Sequence, residues 1–321
     1  MSSTRPLRHL SGDVGHPERP ARLIAIEQAL DAAGWWKTLR RIEPRTATYA
    51  ELALAHSSRY LALVRRELSD LDGIGGLSTG DTLVSPGSLE AARAAAGAAL
   101  SAVDAVMAGD VATAFCAVRP PGHHSTRDRG MGFCIFNNVA VAARYAQQKH
   151  GIKRVLIVDP DYHHGNGTQD IFYEDGSVFY FSTHEFGAYP GTGHPSETGE
   201  GNGAGTTLNV PLPSGATDAR ILEAFETKLV PAARAFRPEF ILISAGFDAM
   251  QNDLLGRFAV TPEGFAALTR VVVRLAAELA GGRIVSVLEG GYRLDGLGEC
   301  VVAHLNGLEN SSPASAGSAQ A

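Results

Sequence analysis

The stretch of this chain with the most chemically active side chains runs from Asp159 to Asp170. Its twelve residues, DPDYHHGNGTQD, include three acidic side chains, two adjacent histidines and two glycines, and they directly follow the apolar run Val155 to Val158. A short, continuous, β-branched run predicts a strand that is buried on both faces of a parallel sheet. Ligands of open α/β sheets bind at the carboxyl ends of strands, which is where this cluster begins.

Asp161, His163 and Asp248 form a candidate metal-binding set. Asp161 and His163 flank Tyr162, so on extended backbone their side chains point to the same side and can share one cation. Asp248 follows another predicted strand, in the segment AGFDA. Two carboxylates and one imidazole leave positions open for water and substrate, as a catalytic Zn²⁺ site requires, and they also suit Fe²⁺, Mn²⁺ or Co²⁺. Taken singly, Asp248 could instead be a helix cap and His163 a hydrogen-bonded polar residue.

A second pair of histidines, His123 and His124, ends the segment RPPGHH after a predicted strand. Its prolines predict a stiff turn, and a catalytic base must be held within hydrogen-bond reach of the attacking water. Two imidazoles with different partners can take different protonation states, although both could also be further metal ligands. Because Asn166 is neutral, a histidine that contacts it is predicted to be less basic than one that contacts Asp159.

Four further residues have both a functional and a structural interpretation. Asp159 could orient a histidine, lie beside a monovalent cation, or be a hydrogen-bonded carboxylate at a strand end. Tyr292, after the two glycines of LEGGY, could donate a hydrogen bond to a developing oxyanion, although a tyrosine after a strand is ordinarily a packing residue. Phe133 and Tyr189 lie on glycine-flanked loops and could wall an apolar slot or belong to the core.

The elements that must position these residues alternate along the chain. Predicted strands cover 111–118, 153–159, 178–182, 206–213, 240–244 and 283–288, and predicted helices include 21–33, 57–70, 89–107, 139–150, 218–236 and 262–280. Strands that alternate with helices predict βαβ crossovers and a mostly parallel sheet. The helix over 218–236 is predicted to bend or stop at Pro231, and Gly73 to Gly80 predicts a loop. The segment HPERPARL, residues 16–23, predicts either a surface loop or an active-site rim leading into the first helix.

Composition narrows the class of protein. The 321 residues are 45% hydrophobic, which supplies a sizeable core, and the net charge of −6 argues against a nucleic-acid-binding surface. Three widely spaced cysteines favour neither a disulfide framework nor a zinc knuckle. Without a signal peptide or an 18-residue apolar span, a cytoplasmic protein that binds no membrane is expected. Residues 1–309 are predicted to form one domain and the low-complexity tail 310–321 to be disordered, and the oligomeric state is left open.

Seven segments, in order along the chain, make it resemble the zinc-dependent histone deacetylase superfamily, which includes bacterial deacetylase-like amidohydrolases and acetylpolyamine amidohydrolases. They are HPERPARL, RPPGHH, GFCIFNN, DPDYHHGNGTQD, YPGTG, GFDA and LEGGY, and they cover about residues 16 to 295. The pair HHGNGTQ and LEGGY is most similar to the class II branch. The resemblance implies an arginase-like α/β fold with an eight-stranded, mostly parallel sheet flanked by helices on both faces, as one deacetylase-like catalytic domain.

The resemblance also implies a role for each residue singled out above. It assigns zinc to Asp161, His163 and Asp248, the general-base and proton-shuttle pair to His123 and His124, and the carbonyl-polarising hydroxyl to Tyr292. It further implies that Gly132, Phe133 and Tyr189 line the channel for an acyl-lysine stem, that Asp159 is the partner of His123, and that Asp159 and Ser182 belong to a structural K⁺ site.

A few positions depart from the family's usual residues and bear on the substrate. Leu255 stands where polyamine-preferring relatives can carry an acidic gatekeeper, while Pro160, Tyr162 and Leu254 also differ from the common pattern. We therefore expect hydrolysis of an acyl-lysine in a protein or peptide, or of a similar small acyl amide. In this reaction His124 takes the proton of the attacking water and Tyr292 polarises the carbonyl. The alternatives are an acetylpolyamine hydrolase and a catalytically silent acyl-lysine binder.

Overall fold

Eight strands are present in the computed structural model, which describes residues 9–10 and 15–309. They are β1 (Gly75–Gly76), β2 (Leu83–Val84), β3 (Thr113–Cys116), β4 (Val155–Asp159), β5 (Val178–Glu185), β6 (Thr207–Leu212), β7 (Phe240–Ala245) and β8 (Ile284–Leu288). Six of them form the central sheet in the order β3-β8-β7-β4-β5-β6, and every pair in it is parallel. Strands β1 and β2 form a separate antiparallel ribbon.

Ten α-helices connect and cover these strands. They are α1 (Ala21–Ala32), α2 (Tyr49–Leu52), α3 (Ser58–Ser69), α4 (Ser88–Met107), α5 (Asn138–His150), α6 (Asn166–Phe172), α7 (Asp218–Ala224), α8 (Val230–Phe236), α9 (Pro262–Leu279) and α10 (Leu294–Glu309). Short 3₁₀ turns lie at Trp35–Lys37 and Gly201–Gly203, and a π-helical turn, Phe225–Leu229, joins α7 to α8. Among the described helices, none is long and apolar enough to cross a membrane.

The central sheet is the middle of three layers because its strands are apolar on both faces. All five residues of β4 are buried, and alternate residues enter opposite cores. Val155 and Ile157 pack with residues of α4 and α5, whereas Leu156 and Val158 pack with residues of α1, α9 and α10. The continuous apolar run in the sequence is therefore the signature of a strand that is covered on both sides.

The helix ends follow local sequence signals. The side chain of Asn137 accepts a hydrogen bond from the Ala140 amide at the start of α5, and Gly151, with φ of 70°, ends that helix. Thr261 caps α9 in the same way, with Pro262 in the first turn. These caps orient the helices that follow RPPGHH and precede β8.

The strand order brings the predicted site together. Strands β3, β8, β7 and β4 are neighbours, and each ends in one of the polar segments that the sequence singles out. Along the chain, β4 to β6 extend the sheet in one direction, whereas β7 and β8 return to the other side of β4. A crevice forms at the carboxyl ends where strand order reverses, so the segments after β4 and β7 face each other.

The predicted α/β architecture, a parallel sheet with helices on both faces, is confirmed, but the central sheet of the described residues has six strands instead of eight. Among the described residues no strand pairs with the outer side of β3, and residues 39–48 form neither helix nor strand. The predicted loop over Gly73 to Gly80 contains β1. The predicted interruption near Pro231 takes the form of the π-helical turn that precedes it. Helix α10 was not predicted, and the tail 310–321 lies outside the described residues.

Gly97 tests how tightly α4 packs on its neighbours. A Cβ added there would lie 2.0 Å from the Arg45 carbonyl oxygen. Alanine ordinarily stabilises a helix interior by about 1 kcal/mol relative to glycine. At position 97 the overlap with the Arg45 carbonyl should instead make alanine destabilising. We expect Gly97→Ala to lower the free energy of unfolding by roughly 1–3 kcal/mol in denaturant titrations. The control Gly76→Ala, whose Cβ meets no atom within 4 Å, should change it little, and a stabilised Gly97→Ala protein would contradict this packing.

Candidate metal centre

Asp161, His163 and Asp248 converge as the sequence predicts. Asp161 and His163 lie in the loop after β4, and Asp248 lies in the loop after the adjacent strand β7. One potential ligand atom from each lies within 4.8 Å of the others, and both carboxylates are buried. The Nδ1 atom of His163 is 3.2 Å from Asp161 Oδ1 and 3.0 Å from Asp248 Oδ2. The three side chains therefore surround one point.

Backbone groups hold the two carboxylates in place. The Tyr162 amide donates to Asp248 Oδ1 at 2.9 Å, and the Gly290 amide donates to Asp161 Oδ2 at 3.0 Å. Only glycine fits at positions 246 and 290. A Cβ on Gly246 would lie 2.0 Å from Asp161 Oδ2, and one on Gly290 would lie 2.1 Å from Asp248 Oδ2. The glycines of AGFDA and LEGGY thus let two loops close around the carboxylates.

The electrostatics of this group favour a bound cation. Burial and the charge of Asp161 raise the pKa of Asp248 to about 7. Although burial opposes charge on His163, Asp248 and Asp161 raise its pKa to about 10, so a proton on Nδ1 lies between the two carboxylates. A divalent cation would replace that proton and draw on the same three donor atoms. Two carboxylates and an imidazole thus fit the zinc ion that the sequence predicts.

His123 and His124 have different hydrogen-bond partners. His123 donates from Nδ1 to Asp159 Oδ2 at 3.1 Å, whereas His124 donates from Nδ1 to Asn166 Oδ1 at 2.8 Å. Burial opposes charge on His123, but Asp161 and Asp159 outweigh it and hold its pKa well above the ordinary value. Burial, reinforced by the charges of His123 and His163, holds the pKa of His124 well below it. These opposite pKa shifts have the direction that the sequence predicts.

A buried carboxylate that the sequence analysis did not single out positions this pair. Glu289, at the end of β8, accepts hydrogen bonds from the amides of Gly122 (2.6 Å) and His123 (3.1 Å). Ser244 of β7 donates to its other oxygen at 3.3 Å. Burial raises the pKa of Glu289 to about 7. The loop after β3 is thereby tied to the ends of β8 and β7.

A buried ionic cluster ties helix α1 to the same strand ends. The Glu18 carboxylate accepts hydrogen bonds from Arg119 Nε at 2.7 Å and from Arg22 Nη1 at 3.3 Å, and all three side chains are shielded from solvent. Arg22 also donates to the backbone carbonyls of Glu289 (2.5 Å) and Gly291 (2.7 Å). Within HPERPARL, Glu18 and Arg22 are buried and brace the LEGGY loop, so the segment is not a plain surface loop. The His16 ring packs edge-on against Phe133 at 4.8 Å, which agrees with the predicted position beside the site.

These bracing residues were missed because their charge predicts exposure when each is read alone. Buried charges are stable only when paired, and the partners are far apart in sequence: 101 residues separate Arg119 from Glu18 and 267 separate Arg22 from Glu289. Their one sequence signal is membership in the motif segments HPERPARL, RPPGHH and LEGGY.

Tyr292 lies between Arg22 and Phe133. The guanidinium carbon of Arg22 is 4.9 Å from the centre of the tyrosine ring, and the Phe133 ring packs edge-on at 5.9 Å. Burial holds the pKa of Tyr292 well above its ordinary value. Asp253 accepts a hydrogen bond from the Tyr292 amide at 2.8 Å and another from the Leu255 amide at 2.9 Å. The loop that carries Leu255, whose side chain is 38% exposed, therefore lies beside Tyr292.

Two aromatic rings, those of Tyr189 and Phe133, lie beside the candidate metal ligands and the residues around them. The Tyr189 ring packs edge-on against His124 at 5.1 Å and His163 at 6.3 Å, and Phe133, with φ of 68°, contacts Tyr292. Gly132 lies between His124 and Tyr189, since a Cβ there would come within 2.4 Å of the imidazole and 3.0 Å of the phenol ring. The residues predicted to line a channel thus all lie around the metal centre.

Asp159 and Ser182, the predicted K⁺ pair, are register partners on β4 and β5. Asp159 accepts a hydrogen bond from Tyr180 at 3.0 Å in addition to that of His123. The Ser182 hydroxyl lies 2.9 Å from Nδ1 of His184. The strand register brings the two residues together, and the K⁺ site itself stays a prediction.

Comparison with known proteins agrees with the motifs. Residues 16–308 match the family model described as "Histone deacetylase domain". The chain is 42% identical over 300 residues to "Histone deacetylase 10, chloroplastic" of Oryza sativa, covering 89% of this chain and 68% of that protein. It is 43% identical over 297 residues to "Polyamine deacetylase HDAC10" of Homo sapiens, covering 88% and 43%. The "Crystal Structure of HDA15 HD domain" superposes with a TM-score of 0.89 at 40% identity, over 96% of this chain and 89% of that one, which confirms the predicted deacetylase-like fold.

Gly246→Ala tests the metal centre without removing a ligand. The added Cβ would overlap Asp161 Oδ2 at 2.0 Å and displace the carboxylate. We expect the purified variant, after equilibration with Zn²⁺ and dialysis, to retain much less than one ion per chain by mass spectrometry, while its far-UV circular dichroism is unchanged. The control Gly76→Ala should bind zinc as the parent does. Full zinc occupancy in Gly246→Ala would show that Asp161 is not a ligand.

Proposed function

The chain belongs to the histone deacetylase family of hydrolases, and we propose that it is a zinc-dependent deacetylase that removes an acetyl or related acyl group from acyl-lysine in a peptide or protein. The observation that carries this proposal is the convergence of Asp161, His163 and Asp248 beneath two histidines with different partners. Such a constellation is suited to hydrolysis of an amide by activated water.

Asp161, His163 and Asp248 would hold the metal ion. When bound, a divalent cation polarises a carbonyl oxygen and lowers the pKa of water. Zinc fits a set of two carboxylates and one imidazole, and Fe²⁺, Mn²⁺ or Co²⁺ can use the same donors. A K⁺ ion at Asp159 and Ser182 would serve a structural role.

His124 is suited to act as the general base. Since its Nδ1 donates to Asn166, the neutral ring has its lone pair on Nε2, where it can accept a proton from the attacking water. His123, paired with Asp159, is held as a cation and supplies a proton near the departing amine. The carbon–oxygen bond forms first and gives a tetrahedral intermediate, and the carbon–nitrogen bond then breaks as the nitrogen takes the proton of His123. The remaining proton of the acid product passes to the amine, the proton on His124 restores His123, and the products are a carboxylate and an ammonium ion.

Tyr292 is suited to stabilise the negative charge that develops on the carbonyl oxygen. Its buried phenol stays protonated and can donate a hydrogen bond, and Arg22 and Phe133 fix the ring. Gly132, Phe133 and Tyr189 would surround the aliphatic stem of an acyl-lysine, which buries four methylenes against aromatic faces. This lining favours a long, apolar stem with its acyl group at the end.

Leu255 bears on the choice between acyl-lysine and a polyamine. The loop that carries this residue lies beside Tyr292, and its partly exposed side chain is apolar where an acidic group would attract a cationic substrate. Hydrolysis of an acetylpolyamine or another small amide is the second candidate, and the similarity to the human polyamine deacetylase favours it. Identity of 42% to a histone deacetylase and 43% to a polyamine deacetylase does not separate the two substrates.

We further propose that residues 1–309 act as one catalytic domain in a reducing, cytoplasmic compartment. The three cysteines are buried and free, in keeping with such a compartment. The family match spans 16–308 of these residues. Fractionation of the source cells with an antibody to the protein would test the compartment, since the rice relative is named as chloroplastic.

Tyr292→Phe, combined with metal removal, tests the proposed reaction. With a fluorogenic acetyl-lysine peptide, loss of one hydrogen bond to the oxyanion should lower kcat by roughly 10²–10³-fold, with a much smaller change in KM. The control Tyr49→Phe, on α2, should keep parental activity. Chelation should abolish turnover and added Zn²⁺ should restore it. Turnover that survives chelation would rule out the metal-dependent reaction.

Leu255→Glu tests the substrate class. A carboxylate beside the channel should raise kcat/KM for a cationic acetylspermidine several-fold relative to a neutral acetyl-lysine peptide, because it adds attraction for the distal amines. Leu254→Glu, at the neighbouring and more exposed position, is the matched control and should change the ratio less. If the parent already prefers acetylspermidine, the acyl-lysine assignment is wrong and the polyamine alternative stands.

A further inference from the structure

Tyr162 separates two of the metal-ligand candidates in sequence, and the proposed reaction gives its side chain no role. The side chain is buried, and its ring packs edge-on against the His163 ring, with 4.8 Å between the ring centres and 86° between the planes. The rings of His124 and Tyr189 lie further from His163, at 5.9 Å and 6.3 Å. Among the described residues, Tyr162 therefore supplies the nearest aromatic ring to this imidazole.

The orientation of the His163 ring depends on such packing. A histidine that binds a metal through one ring nitrogen usually donates a hydrogen bond from the other nitrogen, which fixes the ring. The Nδ1 atom of His163 faces the carboxylates of Asp161 and Asp248, and none of the described residues accepts a hydrogen bond from its Nε2. Contacts with the ring itself must then hold it, and Tyr162 makes the closest aromatic one.

The backbone of Tyr162 is fixed at both of its polar groups. Its amide donates to Asp248 Oδ1 at 2.9 Å, and its carbonyl accepts a hydrogen bond from the Glu185 amide at 3.0 Å. Glu185 is the last residue of β5. The main chain of Tyr162 thus links the Asp248 carboxylate to the end of a second strand, so the tyrosine ring starts from a fixed position.

An ion pair holds the hydroxyl end of the same tyrosine. Arg257 donates from Nε to the Tyr162 hydroxyl at 3.3 Å and from Nη2 to Oε1 of Glu185. The Arg257 side chain is 68% exposed, whereas that of Glu185 is 4% exposed. Because a guanidinium carries its donors in a rigid, planar fork, these two contacts are set by one geometry. The fork connects the end of β5 to the hydroxyl of a buried ring.

The loop that carries Arg257 packs directly on the candidate metal centre. A Cβ added to Gly256 would lie 1.8 Å from the Asp248 carbonyl oxygen and 3.3 Å from Cγ of Tyr162. The Phe258 ring packs edge-on against Tyr162 at 5.0 Å. This loop therefore encloses the tyrosine ring and places the guanidinium at its hydroxyl.

We propose that Tyr162 is a positioning residue for the metal ligand His163, and that Arg257 and Glu185 hold its ring in place. This role rests on the proposed zinc site and assigns to it residues that are outside the ligand set. Rotation of the imidazole would turn Nδ1 away from the two carboxylates. A fixed ring keeps the three donor atoms converged, so the site should release zinc slowly.

Two substitutions remove the contact between Arg257 and Tyr162 from its opposite ends. Tyr162→Phe removes the hydroxyl and keeps the ring. Arg257→Lys keeps a positive charge beside Glu185 but lacks the forked donors that reach both partners. We expect each zinc-loaded variant to release Zn²⁺ to a chromogenic chelator roughly three- to tenfold faster than the parent. This effect is smaller than the roughly 10–100-fold loss of affinity that removal of a ligand's direct hydrogen-bond partner causes.

The double variant Tyr162→Phe/Arg257→Lys tests whether the two residues act through one contact. It should release zinc no faster than the faster single variant, because the contact can be lost only once. Arg220→Lys is the matched control, since Arg220 is 56% exposed and pairs with Glu223 on α7. Its zinc release should equal that of the parent. The melting temperature of the metal-free protein should be the same in all of these variants.

Three results would overturn the positioning role. They are zinc release at the parental rate in either single variant, effects that multiply in the double variant, and a lower melting temperature of the metal-free variants, which would indicate a general loosening of the fold. A parent chain that holds no zinc after dialysis is a different result, because it would overturn the proposed zinc-dependent reaction and this role together. Zinc-dependent turnover by a parent whose variants release zinc normally would remove only the role of Tyr162.

Discussion

Two carboxylates buried side by side are the constraint on which the rest of this structure depends. Asp161 and Asp248 are shielded from solvent and both contact His163. Like charges in an interior repel each other and lose their hydration, so such a pair is stable only with a proton or a cation between them. The adjacency of β4 and β7 brings the two strand ends together, and Gly246 and Gly290 let the loops close around them. The proposed zinc site relies on this geometry.

The residues behind the candidate metal centre connect it to the proposed catalytic groups. Glu18 binds Arg22 and Arg119, while Glu289 receives the amides of the His123 loop. Burying so many charges costs desolvation free energy that their pairing only partly offsets. The cluster is therefore better explained by its role in positioning the loops after β3 and β8 than by a contribution to the free energy of unfolding. It connects α1 to the ends of β3 and β8, which carry the histidine pair and Tyr292. The sheet and the first helix together set the distances on which the proposed hydrolysis relies.

Family membership accounts for the fold of this protein but does not decide its substrate. The histone deacetylase family match covers residues 16–308, and a solved family domain superposes over 96% of the chain. The proposed choice of acyl amine rests instead on local chemistry, because the loop that carries Leu255 lies beside Tyr292.

The sequence alone determined the local features: the apolar run of β4, the alternation of strands and helices, the three metal-ligand candidates, and the weaker basicity of a histidine beside Asn166. It also placed Tyr292, Phe133 and Tyr189 on loops that follow or flank strands. Only the tertiary structure decided that His124 is the histidine beside Asn166, that Glu18 is buried with its partners, and that the described sheet stops at β3. The reason is physical: periodicity and caps act within a few residues, whereas these outcomes depend on strand order, which joins groups such as Gly290 and Asp161 across 129 residues.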